Sequence, residues 1–347
     1  MKSENKDLTV TVLIPELLPE EAHVQWLDRY DFLHRIVSEA QQRRVANSSL
    51  ESEVLKWFHG EETPGSNYAA NLGYRLDNNK AAVPAGCMRA DPVYQQLDIN
   101  HAILGDRSLI DVTDKESEAL ITDLNQHFRD DGVRFERAAQ GRWYCIFDEP
   151  LAVQTVAPDT ATGRNVSLQM PMGDGARRWR GWLSEIEMLL HTHPVNEQRS
   201  VEGKTTINSL WLWGEGNPTT LPRVSPAYRQ IFTENFYTRS LASYHQVECA
   251  GVSQFPSAAA GAKLLVVDDR LAAARATGDQ PAYDHLLQTL EQHILEPLDR
   301  GMLRGTWQQV NLWVGGARWL HVGRPTLAGR LTGKFRAMLG HSRWSRG

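Results

Sequence analysis

Two short runs of this chain are β-branched and almost free of charge: "LTVTVLI", residues 8–14, closed by Pro15, and the "LLVV" of "AKLLVVDDR". Strands of that kind are covered on both faces, and parallel sheets with helical crossovers supply the cover. A helical pattern follows each run. "QWLDRYDFLHRIVSEAQQRRV" places Trp26, Leu27, Tyr30, Leu33, Ile36 and Val37 on one face. "PAYDHLLQTLEQHILEPLDRGM" does the same with Tyr283, Leu286, Leu287, Leu290, Ile294 and Leu298. Strand–helix units confine the chain to the α/β class.

A third run, "INSLWLWGEGNPTTLP", sets Ser209, Trp211 and Trp213 on one side of a strand and Leu210 and Leu212 on the other. Both sides are mostly apolar, which predicts a central strand covered on both faces. It breaks into Gly214-Glu215-Gly216, where glycines permit a tight turn or a close approach to a bound group. Ligands of open α/β sheets sit outside the carboxyl ends of strands, so this turn is a candidate site. "WRGWLSEIEMLLHTHPVN" reads as an amphipathic helix stopped by Pro194, and "QVNLWVGG" with "RWLHVG" as a closing hairpin through Gly315-Gly316.

The middle differs. "HAILGDRSLIDVT" and "GRWYCIFDEP" read as strands around the acidic-started helix of "DKESEALITDLNQHFRDDG", a small α+β unit. The expected division is an α/β core over 1–84 and 176–335, an inserted α+β subdomain over 85–175, and a basic tail over 336–347.

The 347 residues carry a formal charge of −5, so no global basic field points to nucleic acid. Three cysteines, Cys87, Cys145 and Cys249, suit neither a disulfide framework nor a zinc knuckle, and they read with Ser209 as core residues. No stretch approaches the roughly 20 apolar residues of a membrane span. "MKSENKDLTV" lacks a secretory apolar region, and the expected location is cytoplasmic.

The densest polar cluster comprises Glu187, His191, His193, Asn196, Arg199 and Asn208. With Arg89 of "CMRADPVY" and with Gly214 and Gly216, it is the candidate site for a small anionic ligand, since arginine holds carboxylate or phosphate in a fork, or, through its Glu and two His, for a metal. The plainer reading makes Glu187–His191 a surface pair, His193 a helix cap, Asn196 a turn residue and Arg89–Asp91 a structural pair. Glu16, Asp268 and Asp269 follow strands, where carboxylates either ligate metals or cap helices. The tail carries Arg324, Arg330, Lys334, Arg336, Arg343 and Arg346, suited to an anionic membrane surface, to an acidic protein partner or simply solvated.

"RWYCIF", "EIEMLLHTHPVN" and "INSLWLWGEG" together resemble bacterial RpfE-type regulatory proteins and cofactor-independent phosphoglycerate mutases. "WLWGEGNPTTLP" and "MRADPVY" resemble stretches of the archaeal-type mutases. The resemblance implies an alkaline-phosphatase-like α/β core sheet flanked by helices with an inserted α+β subdomain. It also implies, for active members, two divalent metals held by Asp and His and a phosphorylated serine. Here "IPELLPEE" stands where those members carry Asp-Gly, and "VVDDRLAAARATGD" lacks their histidine. The expectation is a mutase-like pseudoenzyme, ligand-binding or regulatory, with no cofactor and no assigned catalytic residue. The alternative is an active phosphoryl transferase holding Mn or Zn through Glu16, Asp268, Asp269 and His321.

Overall fold

A computed structural model describes residues 9–19, 24–45, 48–60, 68–78, 83–97, 101–105, 109–139, 141–216, 221, 224, 228–255, 263–276 and 278–323. By contacts these fall into two units. One lies within Met1–Leu50, Pro226–Ala242 and Gln246–Gly347, the other within Glu51–Ser225 and Ser243–His245. The segments 51–84 and 176–225 therefore pack with the middle of the chain, where the sequence division had set them with the α/β core. The arginines of the tail, from Arg324 onward, lie outside the described residues.

The first unit is built on a seven-stranded sheet. From one edge it runs β10 (Glu248–Ala250), β9 (Gln230–Thr233), β11 (Leu264–Val267), β1 (Thr9–Leu13), β12 (Gln309–Trp313), β13 (Arg318–Gly323) and β2 (Gln41–Arg44). The strands β10 to β12 are mutually parallel, while β13 is antiparallel to its neighbours β12 and β2. The run read as "LTVTVLI" is β1, buried as expected, with Val10, Val12 and Leu13 fully buried, and it lies in the middle of the sheet. Its core joins Val10, Val12, Leu264 and Val266 to Leu287, Leu290, Ile294 and Leu298 of the long C-terminal helical segment. That segment is Gln280–Leu290, a π-helical turn Glu291–Leu295, and Glu296–Arg304. The N-terminal helix is shorter than its pattern: it ends at Glu39, and "QQRR" becomes the exposed edge strand β2. Charged side chains on an edge strand discourage pairing with another chain, so the polar run serves there as well as it would on a helix.

The second unit carries a four-stranded sheet of order β6 (Val133–Ala139), β7 (Arg142–Phe147), β3 (Gly86–Val93) and β8 (Ser209–Trp213), with a two-stranded ribbon, β4 (Gln95–Leu97) and β5 (Ala102–Leu104). The tryptophan-rich run is β8. All five of its residues are buried, as its pattern predicts. It is nevertheless an edge strand, antiparallel to β3, and not a central strand of the α/β sheet. Helices Asp114–His127 and Ala176–His191 cover the face that holds Leu210, Leu212, Trp143 and Met88. The first starts with a capping box in which Thr113 and Glu116 satisfy each other's backbone amides. Pro194 ends the second and also opens the next helix, Pro194–Val201, as proline does at a first helical position.

Candidate functional site

The parallel strands of the first unit end on one rim, the place where ligands of such sheets bind. Glu16 lies just beyond β1 and holds a left-handed backbone, φ 63°, unusual for a residue with a side chain. Three contacts fix it: its amide donates to Val314 O at 3.1 Å, Tyr283 Oη donates to its carbonyl at 2.7 Å, and Gly315 approaches its backbone closely. Beyond β11, buried Asp268 accepts the Arg270 amide and is gripped by the Arg270 guanidinium at 2.6 to 3.2 Å. Asp269 accepts from Asn235 Nδ2 at 2.8 Å. The helix Arg270–Ala276 follows them directly, so the carboxylates act as its local anchors. His321 is away from this rim, in the body of β13 opposite Asn311, whose Oδ1 lies 2.8 Å from its Nδ1. Burial pushes its pKa down. The four residues of the alternative metal set therefore do not converge.

In the second unit the sequence-derived cluster divides into local pairings. Buried Arg89 meets Asp91 side by side on β3, and Asp91 accepts Trp213 Nε1 at 2.7 Å. The guanidinium lies over the Tyr144 and Trp213 rings, 5.4 and 6.0 Å from their centroids. Glu187 accepts from Ser209 Oγ at 2.9 Å and Gln95 Nε2 at 3.3 Å, while burial raises its pKa. His191 is exposed at its helix end. His193 caps the following helix through Nδ1, with Nε2 on Asp123. Asn196 ties Leu190 O to both the carbonyl and the amide of Ile207. Arg199, 2% exposed, donates to Thr205 O, Asp111 O and Glu116 Oε1. Asn208 clamps the backbone of Gln95 from both sides. The named donors and acceptors of Arg89, Glu187, His193, Asn196, Arg199 and Asn208 meet groups of the chain itself, and Glu187 is bonded to Ser209 and Gln95, not to His191 as in the plainer sequence reading.

The Gly-Glu-Gly turn does border an opening. Gly214 and Gly216 have φ of 80° and 150°, and a Cβ on either would press on the start of the helix Ala69–Asn78 or on the Tyr68 ring. The amides of Tyr68 and Ala70 donate to Glu215 O and Gly214 O, so the turn packs against that helix start. Glu215 and Gly216 border a cavity of ≈ 200 Å³, together with Gly86, Cys87, Met88, Phe147, Leu151 and Val153. Glu215, 6% exposed, accepts from the Thr155 amide and hydroxyl, and Thr155 Oγ1 in turn accepts the Gly214 amide. Burial raises the Glu215 pKa and pushes the Cys87 thiol up to about 12. Thr155 and Cys87 carry no sequence motif, and only the pairing of distant segments brings them here.

No protein-family model matches the chain. It is 28% identical over 174 residues to the 2,3-bisphosphoglycerate-independent phosphoglycerate mutase of Methanosarcina mazei, covering 50% of this chain and 41% of the relative. To the corresponding enzyme of Methanosarcina acetivorans it is 30% identical over 120 residues, 34% of this chain and 30% of the relative. The chain is a distant homologue of the cofactor-independent phosphoglycerate mutases. The matched part of this mutase homologue spans less than half the length of either relative. A solved structure of a Pyrococcus horikoshii protein superposes with a TM-score of 0.50 at 11% identity, over 92% of this chain and 88% of that one, in agreement with the alkaline-phosphatase-like α/β fold.

Homology corrects one expectation. The chain was expected to have no cofactor, yet its relatives are phosphoglycerate mutases, for which the resemblance implies Mn or Zn. Among the described residues no three His, Cys, Asp or Glu side chains are grouped to hold an ion, so these donors do not fit a two-metal centre. Among the same residues, no helix is long and apolar enough to cross a membrane.

Proposed function

We propose that this mutase homologue works by binding a small ligand in the cavity beside Gly214–Gly216, and not by turning a substrate over. One observation carries the proposal: the cavity is bordered by apolar side chains and backbone, with Glu215 and a thiol that burial keeps protonated as its ionisable groups. A neutral or cationic ligand suits that lining better than the anion expected from the arginines, because Arg89 and Arg199 are engaged with Asp91 and Glu116. A regulatory role in a bacterial cytoplasm, as the RpfE-type resemblance implies, is part of the same proposal.

Thermal-shift titration with neutral, cationic and anionic metabolites tests it. A neutral or cationic compound raises the melting temperature of the wild type, and Glu215→Gln removes the shift. Turnover well above background in a coupled mutase assay, with Mn²⁺ or Zn²⁺ supplied, would overturn the binding reading. It would establish the second one, an active mutase with divergent ligands, which the 174-residue match to a mutase favours.

A further inference from the structure

Two histidines outside every site described so far face one another. His59 ends the helix Leu50–His59 and His245 ends the helix Phe236–His245. Their Nε2 atoms are 3.1 Å apart and their ring centroids 4.9 Å, with the rings inclined at 60°. A straight N–H···N hydrogen bond along both ring axes would hold the centroids farther apart, by most of a ring width beyond the N···N distance. At 4.9 Å the axes are bent off that line, as they are when two imidazoles address one ion.

We propose that His59 and His245 form a binding site for a late first-row divalent cation, Zn²⁺, Ni²⁺ or Cu²⁺. Imidazole nitrogens lie about 2.0–2.1 Å from such an ion, so two of them at right-angled to tetrahedral spacing sit about 2.9–3.4 Å apart. The observed separation of 3.1 Å falls inside that range. Imidazole selects these ions over Mn²⁺ or Mg²⁺, which prefer oxygen. The His59 Nδ1 is buried without a hydrogen-bond partner, which leaves Nε2 as the nitrogen through which that ring interacts. Phe58 and Tyr244 pack on the His245 ring at 5.3 and 5.0 Å, and Tyr244 is itself held by a hydrogen bond to Leu221 O, so that ring is fixed before any ion arrives. Among the described residues no third His, Cys, Asp or Glu completes a group. The site uses none of Glu16, Asp268, Asp269 or His321 and is independent of the cavity at Glu215.

Titration of the full chain with Cu²⁺ or Ni²⁺ by calorimetry tests the proposal. The chain has 12 histidines, so a control is needed, and exposed His285 provides it. One equivalent binds the wild type and His285→Gln alike, and affinity falls by about tenfold or more in His59→Gln and in His245→Gln. Equal affinity in all four proteins overturns the site and leaves the pair as one sharing a proton. Because either variant can lose its fold, paramagnetic resonance of Cu²⁺ in the unaltered chain decides separately. Splitting from two imidazole nitrogens supports the site, and its absence overturns it.

Discussion

The Glu291 carboxylate accepts the backbone amide of Phe32 at 2.5 Å, across 259 residues of sequence. It also accepts the amide of Leu33, at 3.2 Å. The helix Asp31–Glu39 has no side-chain cap from its own N-cap residue, Tyr30, and Glu291 supplies that function from the π-helical turn. Burial, opposed by these two amides, raises the Glu291 pKa from 4.5 to about 7. A carboxyl that binds its proton more tightly folded than unfolded makes stability fall as pH rises between the two values. Chemical denaturation at pH 5 and pH 8 should therefore show a less stable protein at pH 8 from this group. Glu291→Gln keeps an acceptor without the charge and should shrink that difference. A smaller slope remains from Asp299, pushed up to about 6 mainly by burial. Glu291→Ala should cost about 1–2 kcal/mol as a lost cap.

Gly301 lies inside the helix Glu296–Arg304, where alanine would ordinarily add about 1 kcal/mol. A Cβ there would run into Nε1 and Cδ1 of Trp307. Overpacking costs about 1–3 kcal/mol, so Gly301→Ala should lower stability on balance. An unchanged or raised denaturation midpoint would mean that the indole moves aside freely.

Arg199 holds Glu116 at 2.8 Å inside the second unit. Burial alone would raise the Glu116 pKa, but the Thr113 amide and hydroxyl together with Arg199 bring it below its ordinary value. Arg199→Met should destabilise by about 1–3 kcal/mol, the cost of removing the buried guanidinium from Thr205 O, Asp111 O and the half-buried Glu116. Glu116→Gln in the same background should recover part of it, and equilibrium unfolding of the two variants measures both.

Cys87, Cys145 and Cys249 are all free, and burial raises the pKa of each. The thiolate is the reactive form. A thiol reagent at pH 8 should therefore label the native chain slowly, with half-buried Cys249 ahead of the other two, and rapidly only after denaturation. Mass spectrometry of the labelled peptides gives the order.

Much of the fold was legible along the chain. Apolar β-branched runs gave β1 and β11, the Gly315-Gly316 pair gave the β12–β13 hairpin, and Tyr283, Leu287, Leu290, Ile294 and Leu298 line the core as their spacing predicts. The site was less legible. Arg199 reads as a ligand group and Asn196 as a ligand group or a turn residue, yet both are internal clamps, because a side chain's donors are the same in either role. Which one holds depends on the acceptors folding brings near, such as Asp111 O, 88 residues from Arg199.

The sequence by itself determined which faces are apolar: side-chain periodicity records what covers a strand or helix, and "SLWLW" is covered on both sides as its pattern requires. Only the tertiary structure decided that this strand lies at the edge of an antiparallel sheet, beside β3. Strand neighbours are joined by backbone amides and carbonyls, which nearly every residue carries alike, so partner choice leaves no local mark. The same holds for His59 and His245, 186 residues apart, which meet only because two helix ends do.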